Sequence, residues 1–98
     1  MTITRTQDGD RLTLAPEGRL DTLTAPEFEK ELKDSMDSAQ SLTLDLSGLD
    51  YISSAGLRAL LWAYKTFSDK GGFKLINVNE IVREVLDVTG FSDVLCIE

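Results

Sequence analysis

Between Ser41 and Val78 the chain reads strand, turn, helix, glycine pair, strand, and that order limits the possible folds more than any other feature. Leu42, Leu44 and Leu46 alternate with Thr43 and Asp45, which predicts a strand over about 41–46 with one buried face. The loop Ser47-Gly48-Leu49-Asp50 follows, with Leu49 and Ile52 expected to tuck inward. From about 54 to 69, Leu57, Leu60, Leu61, Tyr64 and Phe67 fall on one side of a helical wheel, predicting a helix with that core face. Gly71-Gly72 ends it, and Phe73-Lys74-Leu75-Ile76-Asn77-Val78 reads as a second buried strand. Two strands joined through a helix within about forty residues form a parallel pair.

The flanking segments extend this unit. Alternating runs on both sides of Asp8-Gly9 predict a hairpin with those two residues at the centre of a tight primed turn. Pro16 and Gly18 interrupt the second run, and Arg19-Leu20 resumes it briefly. Thr24 and Glu27 have capping-box spacing, Leu23 and Phe28 that of a hydrophobic staple, and Pro26 suits a first helical turn. Phe28, Leu32 and Met36 then form a narrow apolar stripe on a first helix. Asn79 is placed to cap a third helix, with Ile81, Val82, Val85 and Leu86 as its apolar face and Gly90 at its end. Val94 to Ile97 reads as a closing strand or apolar tail. The expected architecture is a single α/β domain over 1–98: a mixed sheet of four to five strands with about three helices packed on one face.

Composition narrows function by exclusion. A net charge of −7, with no cluster of Lys and Arg, disfavours nucleic-acid phosphates as a partner. No apolar run approaches the ~20 residues of a membrane span, and the N-terminus has no secretory pattern, so direct membrane insertion is not expected and the cytoplasm is. The single cysteine, Cys96, sits in an apolar run without a neighbouring cation, which suits a small packed residue better than a reactive thiol. The chain has no histidine, which removes Ser-His and Cys-His catalysis and the common zinc sites. No metal cluster or cofactor motif appears, and the chain does not read as an enzyme.

The stretch Asp45–Leu57, DLSGLDYISSAGL, then stands out, because sites in open α/β sheets gather where a strand ends and the next helix begins. Ser53 and Ser54 occupy that place. A serine there has two uses: its hydroxyl can cap the free N–H groups of the first turn, or it can accept a phosphate. The small residues Ala55 and Gly56 leave the helix start approachable, and its dipole favours an anion. A nucleophile elbow is excluded, since Ile52 stands where Gly-x-Ser-x-Gly requires its first glycine. Trp62 lies nearly opposite the Leu57/Leu60/Tyr64 stripe; as a partner-facing anchor it would be joined by Arg58, and otherwise it packs sideways on a neighbouring helix.

The order of GRLD at 18–21, LDLSGLDYISSAGL at 44–57 and a glycine-ended helix leading to FKLINVN resembles the STAS domain of bacterial anti-sigma factor antagonists over nearly the whole chain. That resemblance implies a partner-switching protein. Unmodified, it would bind an anti-sigma factor that is also a serine kinase; phosphorylation would release it, and a PP2C-type phosphatase would restore it. The phosphorylated position falls on Ser54, in preference to Ser53. The family often has aspartate where Ser53 stands, and serine or threonine at Ala55. Asp21 matches the acidic position after the first sheet segment, beside the switch or as a turn-forming aspartate; Ser53, Ala55, Gly56, Arg58 and Trp62 complete the expected partner-binding set. An alternative within the same fold is an accessory STAS subunit of an ABC-type lipid transporter or signalling assembly, without a phosphoswitch.

Overall fold

The computed structural model describes residues 1–95 and 97. Strand β1 (Thr2–Asp8) turns into β2 (Arg11–Leu20), and α1 (Ala25–Ser35) follows. Next come β3 (Ser41–Asp45), β4 (Leu49–Ile52), α2 (Ser54–Ser68), β5 (Gly72–Ile76) and α3 (Glu80–Thr89), with a short 3-10 turn at Phe91–Asp93. The sheet order is β1-β2-β3-β5, with β4 also paired to β2. β1 and β2 pair antiparallel, and the pairings β2–β3, β2–β4 and β3–β5 are parallel.

Register explains the single core. Leu12, Leu42 and Phe73 lie side by side across β2, β3 and β5, as do Leu14, Leu44 and Leu75, and all six are buried. The next residues along, Thr13, Thr43 and Lys74, share the opposite, polar face. Helix α1 packs on β2 and α2; α2 lies on β3, β4 and β5; α3 rests on β4. Phe28, Leu32, Leu60, Phe67, Val82 and Leu86 join the strand leucines in one cluster, so the three helices close over the same side.

Several local expectations are corrected. The hairpin turn is Gly9-Asp10, one residue later than Asp8-Gly9, because Asp8 pairs with Arg11. Among its central residues only Gly9 has positive φ (63°), the pattern of a type II′ turn. Strand β2 runs unbroken through Pro16 and Gly18. It can do so because it changes partners there: β3 pairs with Arg11–Leu14 and β4 only from Gly18 onward, so the missing Pro16 N–H falls between two ladders. The stretch read as a loop before Ser53 contains a four-residue strand, β4, with Leu49 and Ile52 buried.

The capping box and staple at α1 do not form. Thr24 Oγ1 instead donates to the Arg19 carbonyl (2.7 Å) and accepts from the Asp21 N–H (2.9 Å), and Leu23 is 85% exposed. On α2, the buried residues are Gly56, Leu57, Ala59, Leu60, Ala63 and Phe67, whereas Leu61 and Tyr64 are half-buried. Small residues take the closest approach to the sheet, so a stripe judged by size alone is rotated from the true one. On α3, Val82 and Leu86 are buried but Ile81 is 59% exposed. In the C-terminal segment, Ile97 bridges in parallel to Leu75; Cys96, in the stretch read as a closing strand or apolar tail, lies outside the described residues.

Candidate functional site

The carboxyl ends of β2, β3, β4 and β5 form one edge of the sheet, and α2 starts from it. Ile52 closes β4 in the core. Ser53 then adopts an extended conformation (φ −101°, ψ 180°), its N–H donating to the Leu20 carbonyl (2.9 Å) and its carbonyl accepting from Leu57 N–H (2.9 Å). These two bonds tie the end of β2 to the first turn of α2. The close fit depends on Gly56: a Cβ there would lie 2.7 Å from Ile52 Cγ1, 2.8 Å from Leu20 Cγ and 2.9 Å from the Leu20 carbonyl oxygen. Gly56 is therefore buried and offers no side-chain surface to a partner; it seats the helix.

Ser53 occupies the N-cap position, yet its side chain makes no capping hydrogen bond. Its Oγ is buried without a hydrogen-bond partner among the described residues. Buried hydroxyls are usually paired, so this one is exceptional. The first-turn N–H groups thus receive no side-chain cap, and the positive end of the α2 dipole stays uncompensated. Ser54, the first helical residue, is exposed to solvent, and Ala55 is half-buried against the core. Arg58, one turn on, is also exposed and makes no ion pair or hydrogen bond among the described residues. Residues four apart on a helix are neighbours, so its guanidinium shares a face with Ser54.

Asp21 follows Leu20 directly, so its turn stands on the same rim as Ser53. Its Oδ1 accepts from the N–H groups of Leu23 (3.0 Å) and Thr24 (3.2 Å), building the turn into α1. The Thr24 bond, helped by that of Leu23, holds its carboxyl below the usual aspartate value. Asp21 thus does the turn-forming work, with Arg19 Nε at 3.6 Å from its second oxygen and the Arg19 guanidinium 4.2 Å from the Tyr51 ring centre. Asp45 behaves similarly at the end of β3. It accepts from Ser47 N–H (3.0 Å) and from Asn77 Nδ2 (3.1 Å), the former being the main reason its carboxyl is also held low.

Trp62 does not stand on this rim as an exposed anchor. It is half-buried against the core with Lys33 Nζ of α1 5.9 Å from its ring centre, so it packs sideways against α1. The residue that sequence reasoning missed is Leu23, expected inside but displayed on the Asp21 turn. No pattern at the sequence level separates the two outcomes, since both use the same spacing. Among the described residues no group of three or more His, Cys, Asp or Glu side chains could hold a metal ion, and no helix is long and apolar enough to cross a membrane.

The chain belongs to the STAS domain family, whose model matches residues 2–98. It is 36% identical over 80 residues to BtrV of Bordetella bronchiseptica, assigned as an anti-sigma factor antagonist, covering 80% of this chain and 69% of that protein. It is 28% identical over 79 residues to the anti-sigma-B factor antagonist of Bacillus subtilis, covering 80% and 72%. The crystal structure of an anti-sigma factor antagonist from Mycobacterium paratuberculosis shares the fold at a TM-score of 0.88 and 24% identity, covering 98% of this chain and 83% of that one.

Proposed function

We propose that this protein is an anti-sigma factor antagonist that acts by partner switching, with Ser54 as its phosphorylation site. The observation that carries the reading is the exposed Ser54 at an uncapped helix start, in a family whose similar members are named for antagonising anti-sigma factors. In its unmodified form the rim formed by Asp21, Ser53, Ser54, Ala55 and Arg58 docks on an anti-sigma factor with serine kinase activity. Phosphate on Ser54 adds roughly −1.5 to −2 charge at a surface shaped for a neutral hydroxyl. The α2 dipole and Arg58 then hold that phosphate on the protein itself, which withdraws both the hydroxyl and the free guanidinium from the partner. A PP2C-type phosphatase resets the switch. In this reading the protein is a cytoplasmic binder and a substrate of other enzymes and catalyses nothing itself.

The test is a pull-down from native lysate with wild type and Ser54→Asp in parallel, followed by incubation of the captured kinase with wild type and ATP. Capture of an anti-sigma kinase by wild type only, with phosphate mapped to Ser54, is the expected result. Equal capture by both proteins, or stoichiometric phosphate only elsewhere, overturns it. Recovery of a transporter ATPase subunit, insensitive to Ser54→Ala, would point instead to an accessory STAS subunit.

A further inference from the structure

Helix α3 carries more apolar surface than the core covers. Val82 and Leu86 are fully buried and Val85 is half-buried, but Ile81 is 59% and Val88 81% exposed. Ile81, Val85 and Val88 recur at spacings of four and three, so they form one ridge along the helix beside the buried row. Four large hydrophobic residues are prominently exposed among the described residues, and two of them stand on this ridge; scattered single leucines would need no explanation, but a line does. Both ends of α3 are fixed, by the Asn79 side chain accepting from Val82 N–H (2.9 Å) and by Gly90 in the left-handed region (φ 80°). The ridge is therefore presented in one conformation, which lowers the entropy cost of docking on it.

The charges beside the ridge select its partner. On the solvent side stand Glu80 and Glu84, neither with an ion-pair partner among the described residues, whereas Asp87 is engaged by Arg83 Nε at 3.4 Å. A second copy of this chain would bring the same unpaired carboxylates, and a second net charge of −7, against the first. A partner whose apolar patch is flanked by Lys or Arg meets no such repulsion. The mooring of α3 ties this surface to the switch: Asn79 Nδ2 donates to the Leu49 carbonyl (2.6 Å) at the start of β4, the strand that leads into Ser53 and Ser54.

We infer that the Ile81–Val85–Val88 ridge, with Glu80 and Glu84 on its rim, is a second docking surface for the anti-sigma kinase, which meets it with an apolar patch flanked by basic side chains. This rests on the partner-switching reading above. It assigns the complex an affinity element separate from the serine that phosphorylation controls.

The kinase captured above is purified and titrated against four proteins: wild type, Ser54→Asp, Ile81→Ser/Val88→Ser, and Glu80→Lys/Glu84→Lys. Val85 is left intact to spare the core. The ridge variant is expected to keep its far-UV spectrum and lose at least about tenfold in affinity. The charge variant, which touches no apolar contact and serves if the ridge variant folds poorly, is expected to bind more weakly with a flatter salt dependence. Wild-type affinity in both folded variants, with Ser54→Asp impaired, overturns the ridge and leaves the switch standing. No binding by wild type overturns the switch and the ridge with it. Sedimentation of the free protein as a dimer that the ridge variant dissolves would assign the surface to a second copy instead.

Discussion

Helices α2 and α3 both begin where a parallel strand has just ended, and both open with a small polar residue in extended conformation, Ser53 (ψ 180°) and Asn79 (ψ 170°). Asn79 is used twice: Oδ1 accepts from Val82 N–H, and Nδ2 donates to the Leu49 carbonyl. Ser53 is used through its backbone, its hydroxyl buried without a hydrogen-bond partner among the described residues. The α3 start is thus closed and contributes to stability. The α2 start is held from below, by the Ser53–Leu20 bond and the tight seat of Gly56, while its outward side stays open. An open start suits the phosphorylation proposed for Ser54, because the first-turn N–H groups and the dipole that would receive the phosphate are not already taken by a side-chain cap.

The largest effect should come from disturbing the seat. Gly56→Ala drives a Cβ into Ile52, Leu20 and the Leu20 carbonyl, and the last is backbone that cannot rotate away. A destabilisation of about 1–3 kcal/mol is expected from denaturant unfolding. A variant as stable as wild type would mean that α2 is not pressed on the end of β2. Next comes Asn79→Ala, which removes a cap and leaves Leu49 O without its side-chain donor. A loss of about 1–2 kcal/mol is expected, a fall in Tm of several degrees for a domain this size. A negligible change would abolish the contrast between the two helix starts.

The rim turn gives a smaller, pH-dependent effect. Asp21→Asn keeps an Oδ1 acceptor for Leu23 and Thr24 but removes the charge, so it isolates what ionisation adds. The Asp21 pKa is lowered in the folded protein, chiefly by the Thr24 N–H. Its contribution is then full above the unfolded value of about 3.9 and disappears as pH falls through the lower folded value. The Tm gap between wild type and Asp21→Asn should be constant from pH 5 to 8, as order-of-magnitude bounds from that reference value, and should close below about pH 4. A gap that persists in acid would assign the effect to geometry instead of charge.

Where sequence and structure agree, local chemistry and tertiary packing point the same way. The Leu42/Leu44/Leu46 alternation, the Asn79 cap and the glycine that ends α3 each require only their own neighbours to be read. Ser54 at the foot of a helix was legible for the same reason: a strand, a short turn and a wheel place it. Other features depend on what arrives from elsewhere in the chain. β4 is four residues long and takes its identity from pairing with β2, and Pro16 sits in a strand only because that strand changes partners around it. Thr24 has every mark of a capping residue, but Asp21 and Arg19 recruit its hydroxyl. The orientation of Trp62 depends on how closely α1 approaches α2, which no wheel contains.

The smallest expected effect discriminates best. A serine that caps a helix costs typically ~1 kcal/mol when replaced by alanine. Ser53 makes no such bond, and its hydroxyl carries the desolvation cost of an unpaired polar atom. Ser53→Ala should therefore change stability by less than about 0.5 kcal/mol, in either direction, against the larger loss for Asn79→Ala. The two variants measured side by side remove one polar side chain each from equivalent positions, so their difference reports the state of the two helix starts directly. If Ser53→Ala loses as much as Asn79→Ala, Ser53 caps α2 in solution and the α2 start is closed in the free protein. The first-turn N–H groups and the dipole that the proposed phosphate on Ser54 would use would then already be engaged by the Ser53 hydroxyl.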